Sequence, residues 1–322
     1  CLLAVCLASF LLLLFLPKNQ PFIIIDMPLL NPDPVYQLDW SPDGNKFVYS
    51  TEGGIFFMNT DGSNITQVPL NSSIWFERPR FSPDGKRILL QGVWRYISDC
   101  NIYVVNLNGT GLQQLTSANG SRDPDWSPDG ERIVFSRHVG NEIDIGLGGI
   151  WVMDANGSNQ RRLTETGFQP AWSPDGESIA FMVQQVIPGH SGKYSIHVLN
   201  LDNGQERQLT WPTELLYSTS GIDWTPDGQW LIAGLSEHIY IVNVADGSFQ
   251  WIIPSLFGRC NMYPRVSPDG TTIGYIQYVI ISHYTATLKI HLAKLVIIPQ
   301  FKFIATAFPI LALLILRRKH RI

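Results

Sequence analysis

Asp125-Trp126-Ser127-Pro128-Asp129-Gly130-Glu131-Arg132-Ile133-Val134-Phe135-Ser136 reads as a strand end, a tight turn and the start of a second strand. Serine suits the first turn position, proline presets φ at the second, and glycine takes the last without steric cost. Ile150-Trp151-Val152-Met153 is a further β run, and Asp154-Ala155-Asn156-Gly157 is a second tight turn. The polar segment Gln160 to Thr164 then closes the unit as an outer strand. The stretch therefore encodes four short antiparallel strands joined by hairpins.

The turn recurs. Ser-Pro-Asp-Gly, once with threonine, occupies 41–44, 82–85, 127–130, 173–176, 225–228 and 267–270, at intervals of 41 to 52 residues. A fixed turn at that period marks a repeat architecture, and a four-stranded propeller blade has about this length. The residue before the turn is Trp40, Phe81, Trp126, Trp172, Trp224 or Val266, an apolar side chain suited to packing between blades. The expected fold is all-β, a six-bladed propeller of four-stranded blades over residues 21–298. Apolar, membrane-spanning helices are expected on either side, at 1–20 and 299–322.

Trp-Ser-Pro-Asp-Gly, an Ile-Ala-Phe-like strand, an Ile-Tyr-Val-Met-like strand, an Asp-Gly-Ser-Asn turn and Gln-Leu-Thr together resemble the WD40-like (PD40) propeller repeats of TolB-type proteins. The best copies are 123–164 and 169–210, and the resemblance covers about 35–298. It implies the fold and leaves function open, because such propellers host many roles. TolB itself carries an α/β domain before its propeller, whereas a short segment precedes the first repeat here, so TolB's own role does not carry over. The sixth repeat lacks its second Asp-Gly turn, and Phe22-Ile23-Ile24-Ile25-Asp26 is the candidate strand to complete that blade.

Cys1 to Leu16 carries no charge and reads as a signal anchor or transmembrane segment. Phe303 to Leu316 is again uncharged, and Arg317-Arg318-Lys319-His320-Arg321 follows. By the positive-inside rule that tail lies in the cytoplasm, which puts the propeller outside the cytoplasmic membrane with both termini tethering it. The four basic side chains of the tail leave a net charge of −8 on the rest of the chain. An acidic propeller excludes a nucleic-acid partner, which wants a basic face, and favours partner segments of basic character. Cys100 and Cys260 fall in non-adjacent repeats, so no disulfide is expected between them. The sequons at Asn64, Asn71, Asn108, Asn119 and Asn156 read as turn chemistry.

The chain has no His-Glu-x-x-His, Walker-type loop or Cys-x-x-Cys pair, so no cofactor and no catalytic residue are assigned. His138, His190, His238 and His283 lie between the second and third strands of successive repeats, as weak candidate metal ligands. His238 and His283 are expected to sit in short turns facing solvent. The stronger candidate is the axial mouth, where loops from four repeats would bring together Trp75, Arg78, Arg122, Asp123, Gln169, Arg259 and Tyr263. Arg78, Asp123, Gln169 and Tyr263 each precede a proline, which predicts an extended approach to the inner strand. Exposed aromatics with arginine at a concave mouth have the composition of a binding hot spot. The reading is a membrane-tethered, non-enzymatic propeller that binds a protein or peptide through this mouth. The alternatives are a propeller enzyme (a metal-dependent lyase or a hydrolase) and a structural subunit of a larger membrane complex.

Overall fold

The computed structural model describes residues 22–28, 34–94, 99–117, 120–138, 148–185, 193–210, 219–255, 259–282 and 285–297. The expected membrane segments at 1–20 and 299–322 lie outside these, as do His190, His283 and Asn119. Among the described residues no helix is long and apolar enough to cross a membrane. The chain divides into two compact units, one of residues 26–293 and one of residues 1–25 with 294–322.

The larger unit is a six-bladed propeller, and each repeat forms one sheet. The inner strands are Val35–Trp40, Trp75–Phe81, Ser121–Trp126, Phe168–Trp172, Thr219–Trp224 and Arg259–Val266. In blades 1 to 5 the remaining strands follow in chain order outward. In the sixth sheet the order from outside in is Phe22–Pro28, Thr285–Ile297, Thr272–Ser282, Arg259–Val266, so the segment around Phe22–Asp26 supplies its outer strand.

Each turn builds itself. Ser127 Oγ accepts the Arg132 amide at 2.9 Å and donates to the Asp129 carboxylate, and Asp129 Oδ1 also accepts the Glu131 amide at 2.9 Å. The turn at Ser41 repeats this, with Ser41 Oγ donating to Asp43 at 2.6 Å and accepting the Lys46 amide at 2.9 Å. The glycine takes φ between +66° and +78° in all six copies, which an L side chain rarely adopts. A Cβ on Gly85 would lie 3.8 Å from Pro42, one on Gly130 3.7 Å from Pro83, and one on Gly44 3.8 Å from Pro268. The turns thus form a ring in which each proline faces the next blade's glycine, with room for a methyl group at these three glycines.

Apolar clusters fill the spaces between blades. Trp126, Phe135 and Met153 pack on Leu89, Ile102 and Val104 between blades 2 and 3. Leu38, Trp40 and Phe47 meet Ile276 and Ile290, which closes the ring between blades 6 and 1. Trp40 Nε1 donates to the Arg265 carbonyl at 3.1 Å across that seam, and Trp224 Nε1 donates to the Ala171 carbonyl at 3.1 Å between blades 4 and 5.

The hairpin of blade 5 is strained. Leu235 pairs with His238, and the two turn residues between them, Ser236 and Glu237, take φ +48° and +73° without being glycine. Two-residue hairpins of this kind favour Asn-Gly. Glu237→Gly is expected to raise stability by about 1 kcal/mol, since glycine adopts that φ without Cβ strain. Equilibrium urea denaturation checks this, and a lower midpoint would show that the Glu237 side chain contributes more than its strain costs.

Candidate functional site

The inner strands do not run straight into the mouth. Arg78, Asp123, Gln169 and Tyr263 take φ of +52°, +53°, +50° and +54°, and the strand register shifts at each of them. The extended approach expected from the following prolines is therefore corrected to a left-handed β-bulge. The bulge leaves one residue unpaired and re-aims its side chain. Gly221, with φ +122°, holds the same position in blade 5.

The bulge turns backbone amides toward the preceding blade, where side chains receive them. Gln37 Oε1 accepts from Arg78 N at 3.1 Å, Gln91 Oε1 from Asp123 N at 3.0 Å, and Asp123 Oδ2 from Gln169 N at 3.3 Å. Ser220 Oγ accepts from Tyr263 N at 3.3 Å, and Thr219 Oγ1 donates to Gln169 Oε1 at 2.9 Å. Gln37, Arg78, Asp123, Gln169, Ser220 and Tyr263 line the axis and tie blade to blade at the same time.

Arg78 and Asp123 are the electrostatic centre. Arg78 Nη1 lies 2.6 Å from Asp123 Oδ1, both side chains are largely buried, and Ser136 Oγ donates to Asp123 Oδ2 at 2.9 Å. Burial works against the Arg78 charge, but Asp123, Tyr263 and Glu77 more than offset it and its pKa is raised. Its Cζ stands 5.7 Å from the Tyr263 ring centroid. Glu77 accepts from Gln91 Nε2 at 2.7 Å, and burial pushes its carboxyl up. Burial likewise pushes the nearby Cys100 thiol up to about 11, so it is a protonated core group rather than a nucleophile.

Two residues further along each inner strand lies a second ring: Asp39, Arg80, Asp125, Ala171, Asp223 and Arg265. Its carboxylates staple blades together. Asp39 accepts the Phe81 amide at 2.8 Å, Asp125 the Trp172 amide at 2.9 Å, and Asp223 the Val266 amide at 2.7 Å. Arg265 Nη1 lies 3.3 Å from Asp223 Oδ1, and Arg80 Nε lies 3.8 Å from Asp125 Oδ1. Between the two rings the free space along the axis is ≈ 20 Å³, bounded by Gln37, Arg78, Asp123, Gln169, Tyr263 and Arg265 among others. That is room for about one water, so a larger ligand is confined to the mouth.

Above it, between blades 3 and 4, a recess of ≈ 180 Å³ opens among Arg78, Arg122, Asp123, Gln169, Arg137, His138, Ser136, Tyr194 and Thr219. The sequence-predicted residues thus divide. Arg78, Asp123, Gln169 and Tyr263 meet at the axis, and Arg122 joins the first three in the recess. Trp75 and Arg259 line neither space. Trp75 is 40% exposed with its ring 6.1 Å from Tyr36, and Arg259 Nη1 donates to Gln277 at 3.3 Å.

His138, one of the weak metal candidates, lines the recess. His238 does not face solvent from a turn. It opens the third strand of blade 5, is half-buried, and accepts the Ser255 amide on Nδ1 at 2.6 Å; burial holds its pKa below the ordinary imidazole value. Among the described residues no three His, Cys, Asp or Glu side chains gather as a metal-ligand set. Sequence reading missed Arg137, Tyr194 and Thr219. The signal was available: second strands end on the face where inner strands begin, so Arg137, just past the apolar run Ile133–Phe135, had to emerge at the mouth.

Comparison with known proteins agrees with the propeller fold. Residues 31–169 match the family model described as PD40, the TolB beta propeller domain, which bears out the resemblance carried by the repeats. An uncharacterized protein of Agrobacterium fabrum is 27% identical over 218 residues, covering 63% of this chain and 66% of that protein. The Tol-Pal system protein TolB of Francisella tularensis subsp. mediasiatica is 33% identical over 92 residues, which are 26% of this chain and 20% of TolB. The chain thus spans less than two thirds of either relative. Among solved structures, an oligogalacturonate lyase in complex with manganese superposes with a TM-score of 0.57 at 15% identity, covering 82% of this chain and 78% of the lyase. At that identity the likeness is one of fold.

Proposed function

We propose that this TolB-like propeller is a non-enzymatic binding module that holds a polypeptide at its axial mouth, tethered to the cytoplasmic membrane with the propeller on the outer side. The observation that carries the reading is the ring of left-handed bulges. Backbone strain at Arg78, Asp123, Gln169 and Tyr263 aims four polar or aromatic side chains from four blades at one opening. Strain of this kind is kept where the surrounding structure enforces it, and it concentrates at ligand sites. The narrow axis below confines a ligand to the surface, where a chain segment can lie across several blades. Trp75 and Tyr36 on one side offer apolar contact area, and Arg122 offers directed hydrogen bonds. Tethering rests on the uncharged runs at the two ends and on the basic tail.

Trp75→Ala combined with Arg122→Ala is expected to weaken partner capture by about 2 kcal/mol, roughly thirtyfold, without loss of fold. Arg78 is unsuited to this test, because its removal would leave Asp123 buried without its counter-ion. Pulldown from detergent-solubilised membranes with quantitative mass spectrometry reads the effect. Equal capture by a folded double variant would remove the mouth as the binding site. For the tether, protease added to spheroplasts should digest the propeller and spare a C-terminal tag. Release of the full chain by alkaline carbonate would contradict it.

A further inference from the structure

The recess between blades 3 and 4 has a charge opposite to that of the chain around it. The whole chain carries −4, yet the described lining of the recess holds Arg78, Arg122 and Arg137 with one carboxylate, Asp123, and Glu77 lies close enough to Arg78 and Arg122 to feel their charge. Asp123 is already committed to Arg78 at 2.6 Å. Among the described residues, Arg137 is fixed in place without an acid. Its Cζ stands 4.1 Å from the Trp151 ring centroid and 5.4 Å from that of Phe135, and its Nη2 donates to the neutral Gln160 side chain at 2.8 Å. Trp151 is itself anchored by Nε1 donating to the Gly148 carbonyl at 2.8 Å. The Nε atoms of Arg137 and Arg78 are buried and make no hydrogen bond. Burial also works against the charge of Arg137. The guanidinium of Arg137, held by the two rings and by Gln160, is pre-organised for a planar acceptor, because the fork of a guanidinium matches the two oxygens of a carboxylate. Low-dielectric walls focus such a field and draw in anions.

We propose that this recess is a carboxylate-binding subsite, which takes an Asp or Glu side chain or the C-terminal carboxylate of the bound polypeptide between Arg122 and Arg137. The proposal rests on the mouth being a polypeptide site, and it reverses the expectation of a basic partner drawn from overall charge. The volume of ≈ 180 Å³ suits a single acidic group. Ser136, Gln169 and Thr219 supply the neutral polar rim.

The test is selection of displayed random heptapeptides, with free and with amidated C-termini, on the immobilised full chain in detergent. Thermal-shift titration with glutarate runs in parallel. Support is enrichment of Asp or Glu at one position, or of free over amidated C-termini, with binding at least tenfold weaker to Arg137→Gln and to Arg122→Gln. The two enrichments distinguish a side chain from a terminus, and two variants guard against one failing to fold. Peptides enriched without acidic preference would overturn the carboxylate subsite and leave the polypeptide site standing. No peptide enrichment, with a glutarate shift that Arg137→Gln abolishes, would overturn the polypeptide site and keep the carboxylate chemistry. Neither response would overturn both.

Discussion

Gly149→Ala is expected to destabilise the propeller by about 3 kcal/mol or more, and Gly204→Ala by only about 1 kcal/mol. The two glycines have almost the same backbone, with φ +71° and +70°, so the conformational penalty is shared. Their surroundings differ. A Cβ on Gly149 would sit 1.9 Å from the Thr164 carbonyl oxygen, a backbone atom that cannot swing aside, whereas a Cβ on Gly204 meets nothing within 4 Å. The Gly149 carbonyl also accepts the Arg137 amide at 3.0 Å, and the next residue, Ile150, donates to Thr164 Oγ1 at 3.0 Å. Displacing Thr164 would therefore loosen the top of blade 3 and the platform of Arg137 with it. Denaturant midpoints of the two variants measure the contrast. Equal losses would mean that blade 3 relaxes around the added methyl.

The second large effect lies in the inner ring of carboxylates. Asp125→Ala should cost about 3 kcal/mol or more, because it strips the Trp172 amide of its acceptor and removes the nearest carboxylate of buried Arg80, which keeps only the weaker attraction of Asp39 and Asp223. Asp125→Asn keeps an acceptor and should cost less. The same carboxyls set the pH profile. Burial pushes Asp39 and Asp125 up to about 6, against Arg80 and the backbone amides, and pushes Asp223 up as well. A carboxyl raised in the fold costs stability where it is ionised, and that cost is relieved as pH falls from above 6 toward the unfolded value near 4, where the folded state binds the extra protons. The turn aspartates act in the opposite sense. Asp43, Asp84, Asp129 and Asp269 are held below the ordinary carboxyl value, chiefly by the hydroxyl of the turn serine. Their contribution is present above the unfolded value and is lost as pH falls through their folded values. Stability should therefore rise between pH 7.5 and 5 and fall below about 4. Asp125→Asn should flatten the rise, and an unchanged slope in that variant would remove Asp125 as a source.

What the chain discloses by itself is the part written locally. Ser-Pro-Asp-Gly carries its turn in its own atoms, because Ser127 and Asp129 bond within five residues, so the blade count could be read off the repeat. The outer strand of the sixth sheet was legible for a similar reason, since a missing turn after Leu292 calls for a strand from elsewhere. The bulges were not legible. A proline after Arg78, Asp123, Gln169 and Tyr263 argues for extended backbone, and the left-handed form appears because acceptors on the preceding blade, such as Gln37 and Gln91, receive the rotated amides. Those partners lie 41 and 32 residues away. Separation in sequence also hid the role of His238, whose acceptor nitrogen serves Ser255, 17 residues on. It also hid the local reversal of charge at Arg137, which overall composition cannot report.

The central claim is that the chain works through its axial mouth, and site-directed photocrosslinking in intact cells tests it most directly. A photoreactive side chain would be placed singly at Arg122, Tyr194 and Thr219, which line the recess at the mouth, and at Asp84, Asp175 and Asn203 among the turns of the opposite face. Irradiation should give discrete polypeptide adducts from the mouth positions and none from the turns. Adducts from Asp84, Asp175 or Asn203, with none from the mouth, would contradict the account.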